Sequence, residues 1–211
     1  MQSLNLSGSS TKSDGWLKSL FWPTVENAWD VDYLGQQGFW ICLIIGAVSS
    51  CFISVTGFEL VNPVARTVEL VLAGIVFFVY FIGGMGVRES NWPAAVSIFT
   101  IYVVNLLGTT RVPGILPVII GAVLLSNVRA TFLASRWAPI SQEEDRPTRF
   151  NETLRDKLVD QLPPKAWPIL KVPFFIAAVL LLGILIYTFG MGMMHPLRAT
   201  DDSAPAALVT P

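Results

Sequence analysis

The single histidine of this chain, His195, follows Met191, Met193 and Met194. Thioethers and an imidazole suit Cu(I), so this cluster is where the sequence offers metal chemistry. The simpler reading takes the methionines as ordinary apolar residues of a membrane helix that Pro196 ends. The expectation is therefore no metal and no cofactor. A Ser–His or Cys–His nucleophile pair would have to use His195, far along the chain from Cys42 and Cys51. No phosphate-binding glycine loop, paired-cysteine metal motif or HExxH is present. No catalytic residue is assigned, and an enzyme is the last of the functional readings. Cys42 and Cys51 lie nine residues apart in one apolar run. At about 100° per helical residue they fall on opposite faces and cannot bridge. Both are expected to be buried, inert thiols.

Ionisable groups inside apolar runs are costly and usually functional. Arg66 and Glu69, three apart, share a helix face and can pair, and Asn105 can hydrogen-bond across helices. These three form the candidate intramembrane polar site. The simpler reading of Arg66 and Glu69 is an interfacial ion pair. No chain of carboxylates runs through the apolar segments, which weighs against an ion-coupled transporter. Two ridges of small residues recur at spacings of four: Gly46, Ser50 and Ser54, then Ala122, Ser126, Ala130 and Ala134. Such ridges let helix backbones approach in lipid. Packing within the chain is the first reading, and a homo-oligomer interface the sharper one.

The elements that hold these residues follow from composition. Of 211 residues, 53% are hydrophobic and 14% charged, against about 25% charged in a soluble domain. The net charge of -1 creates no field for nucleic acid. Five apolar runs read as transmembrane helices: 38–58, 63–86, 93–107, 115–133 and 173–193. Asn62-Pro63 and Asn91-Trp92-Pro93 are start signals, with Asn as cap and Pro in the first turn. Residues 92–133 are too long for one span and carry Arg111 and turn residues in the middle, so two spans are expected, with a re-entrant hairpin as the rival. The fold class is thus an all-α membrane helix bundle of about five spans.

With five spans, eleven Lys and Arg fall on the N-terminal side and three (Arg66, Arg111, Arg198) on the other. Basic residues concentrate in cytoplasmic loops, so the N-terminus is expected in the cytoplasm and the C-terminus outside, in the cytoplasmic membrane. All seven Trp fall near the cytoplasmic face in the same arrangement. Residues 1–37 read as a cytoplasmic segment with an interfacial aromatic stretch, 38–135 as a four-span region, and 136–171 as a cytoplasmic loop. Residues 172–194 are the fifth span and 195–211 an external disordered tail. Within the loop, Phe150, Leu154, Leu158 and Leu162 recur every four residues. They predict a short amphipathic helix over 151–162, capped by Asn151 and stopped by Pro163-Pro164. Its other face holds three acids (Glu152, Asp156, Asp160) and two bases (Arg155, Lys157). That balance is too weakly basic for anionic lipid, so its apolar stripe is expected to dock on protein.

No family comes forward from the motifs. The expected function is a non-enzymatic scaffold or accessory subunit of a membrane complex, in contact with the bilayer and with another membrane protein or a second copy. The alternative is a small-solute permease or channel acting as an oligomer, with Ser49, Ser50, Ser54, Thr56, Glu69 and Asn105 as its polar path.

Overall fold

The computed structural model describes residues 25, 28–109, 114–136 and 154–198, except the side chains of 28, 29, 109, 155 and 191–198. The described residues are helical with no strand: α1 (Ala28–Phe58), α2 (Pro63–Arg88), α3 (Trp92–Thr109), α4 (Ile115–Ser135), α5 (Leu154–Asp156), a π-helical turn (Lys157–Gln161) and α6 (Leu162–Arg198). The all-α bundle expected from the apolar runs is what the chain forms. Four of its helices are long and apolar enough to cross a membrane, and the helix of 92–108 is a shorter apolar one.

The caps form where the sequence placed them. Asn62 Oδ1 accepts from Val64 N at 2.9 Å and Ala65 N at 3.4 Å, with Pro63 as the first helical residue of α2. Asn91 Oδ1 accepts from Ala94 N at 3.1 Å at the start of α3. Between them the end of α2 closes through two reversed bonds, Ser90 N to Val87 O at 3.0 Å and Asn91 N to Gly86 O at 2.9 Å. This closure puts Ser90 in the left-handed region, φ 56°.

Long-range contacts fix the direction of each helix. Trp92, at the start of α3, meets Phe132 near the end of α4 edge-on at 6.2 Å. Tyr102, late in α3, donates to Pro117 O early in α4 at 2.8 Å. The two helices therefore run antiparallel, which two spans and a re-entrant hairpin both require. Gly86 of α2 faces Trp167 of α6, and Gly108 of α3 faces Phe189 of α6. Among the described residues the chain thus runs the length of the bundle five times. Arg88, Trp92, Phe132 and Trp167 mark one end, and Gly57, Gly108 and Phe189 the other.

Helix α2 is the central element and packs against α1, α3 and α6. Its residues 82–88 are all buried. A Cβ at Gly86 would come within 2.6 Å of both Ala94 Cβ and the Trp167 ring, so only glycine lets three helices meet there. The outside of the bundle is apolar: Ile44, Val48 and Phe52 on α1, Val64 and Val68 on α2, and Ile176, Val179 and Leu180 on α6 are exposed. Hydrocarbon, not water, is the solvent such a surface suits.

Three boundaries differ from the sequence expectation. Helix α1 begins at Ala28, ten residues before the apolar run at Gly38: no proline intervenes, and Asp30 in its first turn favours the helix N-terminus. Pro163-Pro164 does not stop a separate amphipathic helix. The described chain continues from Leu154 through the π turn into α6 without a break. Both prolines lie in the first turn of α6, directly after the π turn. Pro196 likewise does not end the last helix, which reaches Arg198, so the expected external tail begins later than residue 195.

Candidate functional site

Arg88, the last residue of α2, is 3% exposed. A buried guanidinium is costly unless it is paired and its N–H groups are satisfied. Here all five donors are used. Nη1 donates to Asp32 O at 2.7 Å and Asp32 Oδ1 at 2.6 Å. Nη2 donates to Asp32 Oδ2 at 3.1 Å and Asp160 Oδ1 at 2.6 Å. Nε donates to Val159 O at 3.3 Å. A planar fork with five fixed donors fits a two-pronged carboxylate on one side and a second carboxylate on the other; lysine would not. The cluster joins the first turns of α1, the end of α2 and the π turn before α6.

The Val159 carbonyl is available for a sequence reason. In an α-helix it would accept from residue 163, and in a π-helix from residue 164. Both are proline and carry no N–H. The π turn closes instead through Leu162 N to Lys157 O. Arg88 Nε supplies the donor the two prolines withhold, and the wider turn sets Asp160 beside Nη2.

Glycines bring the helices close enough for this. Gly35 of α1 faces the backbone of Val87 and Arg88, and Gly38 faces Val87 and Asn127 of α4. A Cβ at Gly38 would lie 2.7 Å from Asn127 Oδ1. Asn127 is 2% exposed; its Nδ2 donates to Val123 O at 3.0 Å, while its Oδ1 has no hydrogen-bond partner. The group it faces is the Gly38 backbone, a place for a weak Cα–H contact.

The sequence-selected residues fall elsewhere. On the first ridge, Gly46 lies against Tyr80, Ser50 Oγ donates to Ala73 O at 2.8 Å, and Ser54 is half-buried, so Gly46 and Ser50 face α2. On the second, Ser126, Ala130 and Ala134 are buried and Ala122 is half-buried. Arg66 and Glu69 do not form the expected pair: Arg66 Nη2 donates to Leu60 O at 3.2 Å in the α1–α2 turn, and the Glu69 methylenes lie against Gly57. Arg66 is held by the turn because it sits one turn into α2, beside the carbonyls that end the loop. Asn105 is exposed, and with Ser49 lines a cleft of about 130 Å³ between α1, α2, α3 and α6.

Of the amphipathic stretch, Phe150 lies outside the described residues and Leu154 is 86% exposed. Leu158 and Leu162 pack against the core, and Val159 is fully buried. The side chains of Met191, Met193, Met194 and His195 lie outside the described residues, though their backbone is helical. Cys42 is buried, but Cys51 is exposed on the far face of α1, as the nine-residue spacing requires and contrary to the expected burial of both. Among the described residues no group of three His, Cys, Asp or Glu converges as a metal site.

Sequence reasoning passed over Arg88, Asp32 and Asp160. The available signal was the double proline, which strips donors from carbonyls one turn upstream, just before an acidic residue. Chemically the cluster holds helices together. Every guanidinium hydrogen is already engaged, so none is left for a substrate. No family model, curated protein or solved structure matches the chain.

Proposed function

We propose that this chain is a non-enzymatic, multi-pass protein of the cytoplasmic membrane, serving as a scaffold or accessory subunit of a membrane complex. Its N-terminus lies in the cytoplasm and its C-terminus outside. The observation that carries the reading is the Arg88 cluster. Its charges and hydrogen bonds are spent inside the chain, tying three helices into one fixed end. The apolar faces of α1, α2 and α6 remain outside for lipid and for partner helices. Trp40 and Trp92 lie near the Arg88 end, which suits an interface there. Purification of the full chain in a mild detergent should yield the same companion membrane protein from independent preparations. A chain that purifies alone, and carries solute across vesicles by itself, would remove the scaffold reading.

A second reading has its own observation. The cleft beside Ser49 and Asn105 ends toward the Arg88 cluster, so the bundle is open on one side and latched at one end. This is the arrangement of a closed small-solute path. Flux in reconstituted vesicles that rises when Asp160→Asn loosens the latch would favour the permease.

A further inference from the structure

The cleft carries more information than its size. Its lining runs from Tyr80, Ile101 and Leu181 in the middle of the bundle to Asn105 and Thr188 toward the far end. It lies between α1, α2, α3 and α6, beyond the end where Gly83 and Gly86 of α2 face α3 and α6 closely. Its mouth is at Asn105, Ile184 and Thr188, which are exposed, and around that mouth Leu107, Leu180 and Tyr187 are exposed as well. On the membrane reading given above, on which this inference rests, the mouth opens into hydrocarbon.

Three features define what fits. The lining contains no Asp, Glu, Lys, Arg or His, so a charged ligand would enter uncompensated. Most of the lining is aliphatic. At its inner end Tyr80 is 3% exposed, and its hydroxyl makes no hydrogen bond to any described residue. Because Tyr80 lines the cleft, its hydroxyl offers a bound molecule both a donor and an acceptor. The volume, about 130 Å³, is close to that of an apolar protein cavity that takes up benzene, roughly 150 Å³.

We propose that this cleft binds a neutral, lipid-soluble molecule through one oxygen atom that hydrogen-bonds the Tyr80 hydroxyl, its apolar body lying toward Leu181 and the mouth. The oxygen belongs either to a free lipophile, such as an alcohol or ketone, or to the ester group of a membrane phospholipid.

The test uses the full chain in phosphatidylcholine vesicles and octanol carrying a diazirine in its alkyl chain as a photolabel. Carbonate washing first establishes that the chain is membrane-integrated, so failure of the membrane reading is seen separately. The expected result is saturable labelling of peptides bearing Ile101 and Leu181, blocked by excess octanol. Tyr80→Phe should weaken the octanol block about fivefold, the worth of one hydrogen bond, and leave the block by octane unchanged. Ile184→Trp, at the exposed mouth, should abolish the labelling without touching the core. Native mass spectrometry of wild type and Ile184→Trp separates the sources: phospholipid retained by the wild type alone assigns the oxygen to a lipid ester, and none retained assigns it to a free lipophile. Labelling that does not saturate, as for a water-filled cleft, or an octanol block equal in wild type and Tyr80→Phe, would overturn the proposal.

Discussion

Arg88 shows how much can hang on one side chain. Removing it takes the Arg88 cation from the Asp32 and Asp160 carboxylates and the Nε donor from the Val159 carbonyl. Breaking a buried pair from one side costs about 3–5 kcal/mol. Arg88→Leu should therefore lower stability by that order, measured by thermal unfolding in detergent. Arg88→Lys should recover only part, since an ammonium cannot reproduce the fork. Replacing Arg88, Asp32 and Asp160 together by apolar residues should recover much of the loss, because the cost lies in uncompensated charge more than in missing attraction. A triple variant as unstable as Arg88→Leu would show that the cluster acts through geometry instead. None of this was legible residue by residue. In sequence Arg88 is one basic residue after a glycine-rich run, and its partners lie 56 and 72 positions away. By contrast Asn62 and Asn91 were legible as caps, because a cap depends only on residues two or three positions on.

At the scale of elements, the π turn is the part that local rules misread. Two adjacent prolines after an amphipathic repeat look like a stop, and most often they are. Here the chain keeps its helical course by widening one turn, and α2 supplies the missing donor. Pro163→Ala restores an amide that can bond Val159 O. In an ordinary helix interior the change would stabilise by about 3 kcal/mol. In this chain it should bring little or no gain, because closing the turn to α geometry shifts Asp160 by one position, about 100° around the axis, away from Arg88. Thermal unfolding of Pro163→Ala checks it, and a full-sized stabilisation would mean the π turn is incidental. The α1–α2 seam gives a second expectation. Ser50→Leu should lower the melting temperature by several degrees, since it breaks the bond to Ala73 O and forces the backbones apart. Cys51→Leu, one residue on and exposed, should leave it unchanged. Equal effects at the two positions would mean that α1 does not present that face to α2.

At the scale of the whole molecule, five apolar runs gave five helices, four of them long and apolar enough to cross a membrane. Helix boundaries moved at both ends of the described chain, to Ala28 in α1 and Arg198 in α6. Helix α1 extends to Ala28 and so carries Asp32, Gly35 and Gly38 to the end of α2. The cleft was legible only as scattered polar residues, Ser49 and Asn105, because its lining is drawn from four helices far apart in the chain. Everything proposed for the chain rests on its crossing the membrane five times with the Arg88 end in the cytoplasm. The direct measurement is a pair of activity reporters, one inserted at Gln142 and one fused after Pro211, in intact cells. The account predicts that the first is active only in the cytoplasm and the second only outside; both reporting from the same side would contradict it.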